Sequence, residues 1–221
     1  MKKIAFLIFA FVAVLFQSCF YEKIDDVSAL VVESGFTLTI TEGKKNAIVK
    51  PKDVTVTTEN GVMTISGGTS EEVGILTLSP TTLSNLTSIK IGSKSLVLTD
   101  TLHLTNDNLT FDVYGSGSFN GFIQCGNARI NISDDGEMVL AGEGDNLTMV
   151  MTNSSKYTSP TFKWQNANVT LSDTAKCTIN VVNSLTVVAS DEANLGYIGV
   201  LDSNFTVSGN AHIFRIPISS K

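Results

Sequence analysis

The sequence predicts an all-β protein, a single-stranded parallel β-helix whose rungs are about 19 residues long. Three observations support this: apolar residues recur at a fixed spacing from Leu109 onward, small or turn-forming residues recur between them, and residues 20–221 lack helical periodicity. The composition, 43% hydrophobic and 16% charged, fits a folded chain whose surface is covered by Ser, Thr and Asn.

The repeat consists of five full units of 19, 19, 20, 18 and 18 residues from Leu109, followed by a partial unit from Ser203. The third position is apolar in every unit: Phe111, Ile130, Met149, Val169, Val187 and Phe205. So is the fifth: Val113, Ile132, Met151, Leu171, Ala189 and Val207. The eleventh is apolar or aromatic: Phe119, Met138, Tyr157, Cys177, Leu195 and Ile213. Positions three and five lie on one face of a strand, so we expect stacked apolar columns inside the coil.

A sharp corner is predicted between the fifth and eleventh positions. Its seventh position holds residues that tolerate a positive φ: Gly115, Asp134, Asn153, Asp173, Asp191 and Gly209. Its ninth position is always small: Gly117, Gly136, Ser155, Ala175, Ala193 and Ala211. Each unit therefore reads as a strand, a corner and a second strand.

The chain is predicted to divide into four parts. Residues 86–221 form the rungs, and residues 30–85 form strands that begin or cap the β-helix, with a hairpin signal at Asn60-Gly61. Residues 19–29 form a lipidated N-terminus and tether, and residues 1–18 form a signal peptide.

The N-terminus carries the export prediction. Lys2 and Lys3 precede an apolar run of 13 residues, Ile4–Phe16, which is too short to span a bilayer as a helix but fits a secretory signal. The string "LFQSC" that follows resembles the lipobox of bacterial lipoproteins, which implies acylation of Cys19. The alternative is an ordinary signal peptide with an incidental cysteine. The following acidic segment "FYEKIDD" resembles a surface-export signal, or it is a solvated tether.

Charge and cysteine usage argue against several classes of protein. The formal net charge is −6, and it becomes −8 without residues 1–19, which argues against nucleic-acid binding. The three cysteines Cys19, Cys125 and Cys177 form no CxxC pair, and the two histidines, His103 and His212, show no partner in the sequence. We therefore predict no metal site and no cofactor.

The segment "VESGFTLTITEG" and the corner strings "VYGSGSFNGFIQC" and "LSDTAKCTINVVNS" resemble the head-GIN-domain family of putative auto-transporter adhesins. The resemblance covers about residues 30–216. It implies a right-handed β-helix in a cell-envelope protein, often a lipoprotein, without agreed catalytic residues.

Two groups of side chains are candidates for chemistry. The first group is acidic: Asp134, Asp135, Glu137, Asp173, Asp191 and Glu192. Turn formation is the favoured explanation of these acids, with a calcium or carbohydrate ladder and catalysis as alternatives. Arg129 and Arg215 fall on strands away from them. The second group is aromatic and could stack on sugars: Tyr114, Phe122, Phe162 and Trp164. Core packing is favoured for the last two.

The resulting expectation is a non-catalytic outer-membrane lipoprotein whose β-helix binds polysaccharide or protein, as in adhesion. Its expected partners are the membrane, through the lipid anchor, and a polysaccharide or an envelope or matrix protein, but not nucleic acid. No catalytic residue is predicted, and the ligand-binding residues and the displayed membrane face stay open. The alternatives are a carbohydrate-active lyase or hydrolase on a β-helix, and a structural scaffold that assembles end to end through uncapped strands.

Overall fold

The computed structural model describes residues 19–69, 71–92, 94–104, 106–199 and 202–217. The predicted signal peptide, residues 1–18, lies outside the described residues. Within the described ranges there are seventeen β-strands and one short helix, and no helix long and apolar enough to cross a membrane. The elements are β1 Cys19–Lys23, β2 Ala29–Ser34, β3 Thr37–Glu42, β4 Ala47–Pro51, β5 Val54–Glu59, β6 Val62–Gly67, β7 Val73–Leu78, α1 Pro80–Asn85, β8 Ser88–Ile91, β9 Leu96–Leu104, β10 Leu109–Val113, β11 Ser118–Ile132, β12 Glu137–Met151, β13 Lys156–Leu171, β14 Lys176–Ala189, β15 Asn194–Ile198, β16 Asp202–Val207 and β17 His212–Arg215.

The strands form a β-solenoid of about seven turns with rungs of about 19 residues, as the sequence predicts. Each of the long strands β11–β14 runs from one face of the solenoid, through a bend, to the other face. Face one carries β8, β10, the second halves of β11–β14, and β16. Face two carries β9, the first halves of β11–β14, β15 and β17. Neighbouring turns pair in parallel, so equivalent residues lie in files.

The predicted apolar columns are confirmed by the strand register. In the third-position column, Phe111 pairs with Ile130, and the pairing continues through each later unit to Phe205. The first five members of this column are at most 2% exposed. The same file continues toward the N-terminus through Ile89, Leu30 and Met63, which the repeat did not predict.

The N-terminal strands are stacked out of sequence order. The layer formed by β2 and β3 lies between the layer of β6 and β7 and the layer of β8 and β9. The hairpin predicted at Asn60-Gly61 joins β5 to β6, and its two residues have φ values of +51° and +78°. On face two, β4 pairs antiparallel with β7, and β1 pairs antiparallel with β4. The antiparallel strands thus border the first layer on both faces.

The helix α1 is a short element that the missing helical periodicity of residues 20–221 gave no reason to expect. Its six residues are too few for a periodic pattern, but the local signals are present: Ser79 caps the N-terminus and Pro80 occupies the first turn. The buried side-chain amide of Asn46 stabilises the connection from β7 through α1 to β8. Asn46 Nδ2 donates to Asp26 Oδ1 at 2.7 Å and to Thr82 Oγ1 at 2.8 Å. Asn46 Oδ1 accepts from the Ser79 backbone N–H at 2.7 Å.

Candidate binding surface

The predicted corners adopt the backbone conformation that the sequence requires. All six residues at the seventh position have a positive φ, between 58° and 64°. Their side chains also link successive corners. Asp134 Oδ2 accepts from the Gly115 N–H at 3.0 Å, and Asp173 Oδ2 accepts from the Asn153 N–H at 3.0 Å. The interpretation of these acids as turn formers is therefore supported by their contacts.

Asp191 continues the same pattern at the next corner. Its Oδ2 accepts from the Ser190 hydroxyl at 2.7 Å and from the Asp173 N–H at 3.3 Å. These two hydrogen bonds, the hydroxyl first, hold the pKa of Asp191 below its usual value. Among the described residues, no group of three or more His, Cys, Asp or Glu side chains is arranged to hold a metal ion. The carboxylates of Asp134, Asp173 and Asp191 are thus already engaged with the backbone.

The aromatic candidates divide between core and surface. Phe162 and Trp164 are fully buried, which confirms the core interpretation for this pair. Trp164 Nε1 donates to the buried Tyr157 hydroxyl at 3.0 Å. Phe122 is 39% exposed. Tyr114 donates to Glu33 at 2.5 Å, and partial burial together with that carboxylate raises the pKa of Tyr114 to about 12.

An open polar depression of about 550 Å³ follows the bends between face two and face one. We call it the bend groove. The side chains that define it are His103, Asp107, Gln124, Glu143, Asp145 and Gln165. They come from consecutive turns, so the groove runs along the solenoid axis and presents carboxylate, amide and imidazole groups to solvent. Sequence reasoning did not single out this set, because the bend lacks the fixed residue types of the corner.

Some residues of the bend groove belong to one file of residues that pair from turn to turn. His103 pairs with Gln124, Gln124 pairs with Glu143, and Glu143 pairs with Lys163 in successive turns. Gln124 Nε2 lies 3.4 Å from Glu143 Oε1. His103 was expected to have no partner, which is wrong: its Nδ1 lies 3.0 Å from Glu42 Oε1. The parallel pairing of β3 with β9 brings these two residues together across 61 positions of sequence.

An amide ladder lies beside the bend groove at the start of face one. Asn146 Nδ2 donates to Asn127 Oδ1 at 2.7 Å, and Asn166 Nδ2 donates to Asn146 Oδ1 at 2.9 Å. The Ser184 hydroxyl donates to Asn166 Oδ1 at 2.8 Å. Asn127 and Asn146 also line a second open depression. The sequence contained a signal for this ladder, because these residues occupy the last position of successive repeat units.

Cys125 lines the bend groove but is not an activated thiol. Burial, with a smaller contribution from Asp145, raises the pKa of Cys125 to about 12. Cys177 lies fully in the core, and burial raises its pKa as well. Both thiols are free. The groove therefore presents hydrogen-bonding groups rather than a thiolate nucleophile.

The stacked turns and the bend groove define a parallel β-solenoid with an open polar surface along its axis. The chain belongs to the family described as "putative auto-transporter adhesin, head GIN domain", whose model matches residues 26–200. The predicted family resemblance is confirmed. This family suggests a protein of the cell envelope or cell surface. No curated protein matches the sequence.

Three crystal structures from Bacteroidetes illustrate the likeness. A protein of Bacteroides fragilis described as a putative adhesin has a TM-score of 0.74 at 14% identity, with 90% of this chain and 96% of that chain covered. A putative adhesin of Parabacteroides merdae has 0.63 at 15%, with the same coverage. A protein of Parabacteroides distasonis described as a putative lipid binding protein has 0.68 at 12%, again with 90% and 96% covered. At these identities the likeness shows the fold alone. None of the three descriptions names an enzyme.

Proposed function

We propose that this protein is an exported lipoprotein, acylated at Cys19 and held in the outer membrane, whose bend groove binds a polysaccharide without cleaving it. The observation that carries the proposal is the bend groove itself, because its hydrogen-bonding groups repeat from turn to turn at about 4.8 Å. A repeating, hydroxyl-rich polymer can satisfy such a row of donors and acceptors at successive positions. The lipobox-like string and the family description support envelope anchoring.

The charge of the groove narrows the ligand class. Asp107, Glu143 and Asp145 contribute three carboxylates, and the exported chain has a formal net charge of −8. An anionic polymer would be repelled by this field. We therefore expect a neutral polysaccharide or one that contains amino sugars.

The hydrogen bonds of the corner acids argue against catalysis at the corners, and the groove carboxylates Asp107, Glu143 and Asp145 are tested by the reducing-end measurement below. A glycosidase needs a carboxylic acid and a second carboxylate facing the same bond, both free to exchange protons with substrate. Asp134, Asp173 and Asp191 instead accept backbone N–H donors at the corners. Glu137 Oε1 forms a surface ion pair with Lys156 Nζ at 3.5 Å.

Binding is tested with the exported chain carrying Cys19→Ser, titrated by calorimetry against neutral, amino-sugar and uronic-acid polysaccharides. We expect binding to one of the first two classes, a loss of at least about tenfold in Glu143→Gln or Gln165→Ala, and no new reducing ends. The matched control is Glu59→Gln, an exposed carboxylate of β5 outside the groove. No binding to any polysaccharide, or equal loss in the control, would refute the groove assignment. Release of reducing ends would favour the enzyme alternative.

Anchoring is tested separately in cells. Labelled palmitate should be incorporated into the wild-type chain and not into Cys19→Ser. Protease treatment of intact cells then distinguishes surface display from a periplasmic location. Absence of label on the wild-type chain would contradict the lipoprotein proposal without affecting the groove.

A further inference from the structure

The two ends of the stack differ in how far their inward apolar residues are covered. In the first layer, the inward residues Met63, Ile65 and Leu76 are completely buried, because β4 and β5 pair with that layer. In the last layer, the inward Val207 is 49% exposed. Phe205 and Ile213, also inward, are only partly buried.

The last layer consists of β16 and β17, and among the described strands no further layer stacks on it. Among the described strands, β16 pairs only with β14, and β17 pairs only with β15, so each has one outer edge without a strand. Such edges accept a further strand readily. We call this surface the tip, defined by the outer edges of β16 and β17 with Phe205, Val207 and Ile213.

We propose that the tip docks against the tip of a second copy of this chain. A two-fold axis perpendicular to the two faces places β16 antiparallel to its own copy and, by the same rotation, β17 antiparallel to its own copy. Because inward residues alternate with period two, a register that pairs Phe205 with its copy keeps every inward side chain of β16 inside. The apolar columns then continue from one protein into the other.

Charge favours this partner. Residues 202–217 contain one acid, Asp202, and one base, Arg215, whereas the exported chain as a whole carries −8. The tip is therefore an electrically balanced end of an acidic protein. Two tips can approach without the repulsion that faces two whole acidic surfaces, and screening reduces the remaining repulsion.

The association should stop at two copies. A two-fold contact uses the tip of each copy and leaves neither tip for a third copy. The N-terminal end differs from the tip, because it carries the antiparallel strands β1, β4 and β5 over a buried inward layer. The contact is also small. Strands of six residues on sheets about 10 Å apart give a footprint of about 200 Å² per copy, below the roughly 800 Å² per partner of stable complexes. We expect weak, concentration-dependent dimers.

The position of the tip gives such dimers a role. Face one is nine strands deep, from β6 to β16, so the tip lies about 40 Å from the layer of β6 and β7. β1 lies beyond that layer, because it pairs with β4, which pairs with β7. If Cys19 is anchored as proposed above, tips point away from the membrane, and copies on two facing membranes meet tip to tip. Many weak contacts between two such surfaces would add to strong attachment. The dimer itself rests neither on the anchor nor on the bend groove.

Sedimentation equilibrium of the Cys19→Ser chain, from about 1 µM to 1 mM, tests the dimer. We expect a monomer–dimer equilibrium that Val207→Lys weakens by at least about tenfold, because the contact would bury an unpaired ammonium group. Val207 is already half exposed, so this variant should fold, which circular dichroism verifies. The matched control is Val139→Lys, an outward residue of β12 that is 37% exposed, and it should dimerise like the wild type.

Three results would overturn the proposal. The first is a monomer at every concentration. This includes the case in which an added strand peptide, and not a second copy of the chain, binds the tip. The second is an open series of larger oligomers, which a single tip cannot produce. The third is equal weakening in the control.

Beads to which the chain is attached at residue 19 give a second readout: beads with the wild-type chain should clump, and beads with the Val207→Lys chain should not. Polysaccharide binding by the groove should be unchanged in this variant, so failure of one proposal does not imply failure of the other.

Discussion

Substitution of Asp173 separates the two contributions of a corner residue, its backbone conformation and its side-chain acceptor. Asp173 has a φ of +59°, and its Oδ2 accepts from the Asn153 N–H at 3.0 Å and from the Ser172 hydroxyl at 2.9 Å. Asp173→Asn keeps both contributions, so we expect a change in the free energy of unfolding within about 0.5 kcal/mol. Asp173→Gly keeps the conformation but loses the acceptor, which costs about 1 kcal/mol.

Asp173→Ala loses both contributions. The left-handed conformation adds about 1 kcal/mol for a residue with a Cβ, so the total cost is about 2 kcal/mol. Urea unfolding followed by circular dichroism at pH 7 measures the series, with Thr186→Ala on an exposed strand position as the control. Alanine as stable as asparagine would refute the reasoning, as would glycine less stable than alanine.

Four further predictions concern the core, the groove and acid stability. Tyr157→Phe leaves the buried Trp164 Nε1–H without its acceptor and should lower the free energy of unfolding by about 1–3 kcal/mol, measured in urea; an unchanged midpoint would contradict this contact. In the Cys19→Ser chain, Cys125 should react with a maleimide at pH 8 at least about 100-fold more slowly than free cysteine, because its pKa is raised to about 12; equal rates would argue against its burial. Gly142→Ala should unfold the chain or cost more than about 3 kcal/mol, since a Cβ there would lie 2.0 Å from a backbone carbonyl oxygen of the neighbouring turn at a φ of +125°; a normal melting temperature would contradict that packing. Because the pKa of Asp191 is lowered, its stabilising contribution should be present above pH 4 and disappear as the pH falls through the folded-state value, so Asp191→Asn should be less stable than wild type at neutral pH and approach it in acid; a constant difference would contradict the sign.

The rungs could be predicted because every requirement of a parallel stack repeats along the chain. Phe111 and Ile130 occupy equivalent positions of successive units, and parallel pairing makes equivalent residues neighbours. The corner was predictable for the same reason, since residues such as Asp134 and Asn153 tolerate a backbone conformation that few other residues adopt.

The remaining features depend on contacts that no repeat records. The position of β2 between two later layers follows from pairings such as Leu30 with Met63 and Leu30 with Ile89, in a segment without a fixed period. The contact of His103 with Glu42 depends on that placement. The bend groove was also missed because a bend tolerates many residue types, whereas the asparagine ladder at Asn146 could have been found from its unit position.

The placement of β2 and β3 bears on the order in which the protein can mature. The chain is synthesised from its N-terminus, yet β2 and β3 need neighbours on both sides, β6 and β8 for β2 and β7 and β9 for β3. Val32 gains its second neighbour only after Ile91 has been synthesised, so about two fifths of the polypeptide must emerge before β2 is enclosed. Later turns can then add one after another on an existing template. A delay between synthesis and closure of this segment would leave β2 and β3 exposed to chaperones or to aggregation.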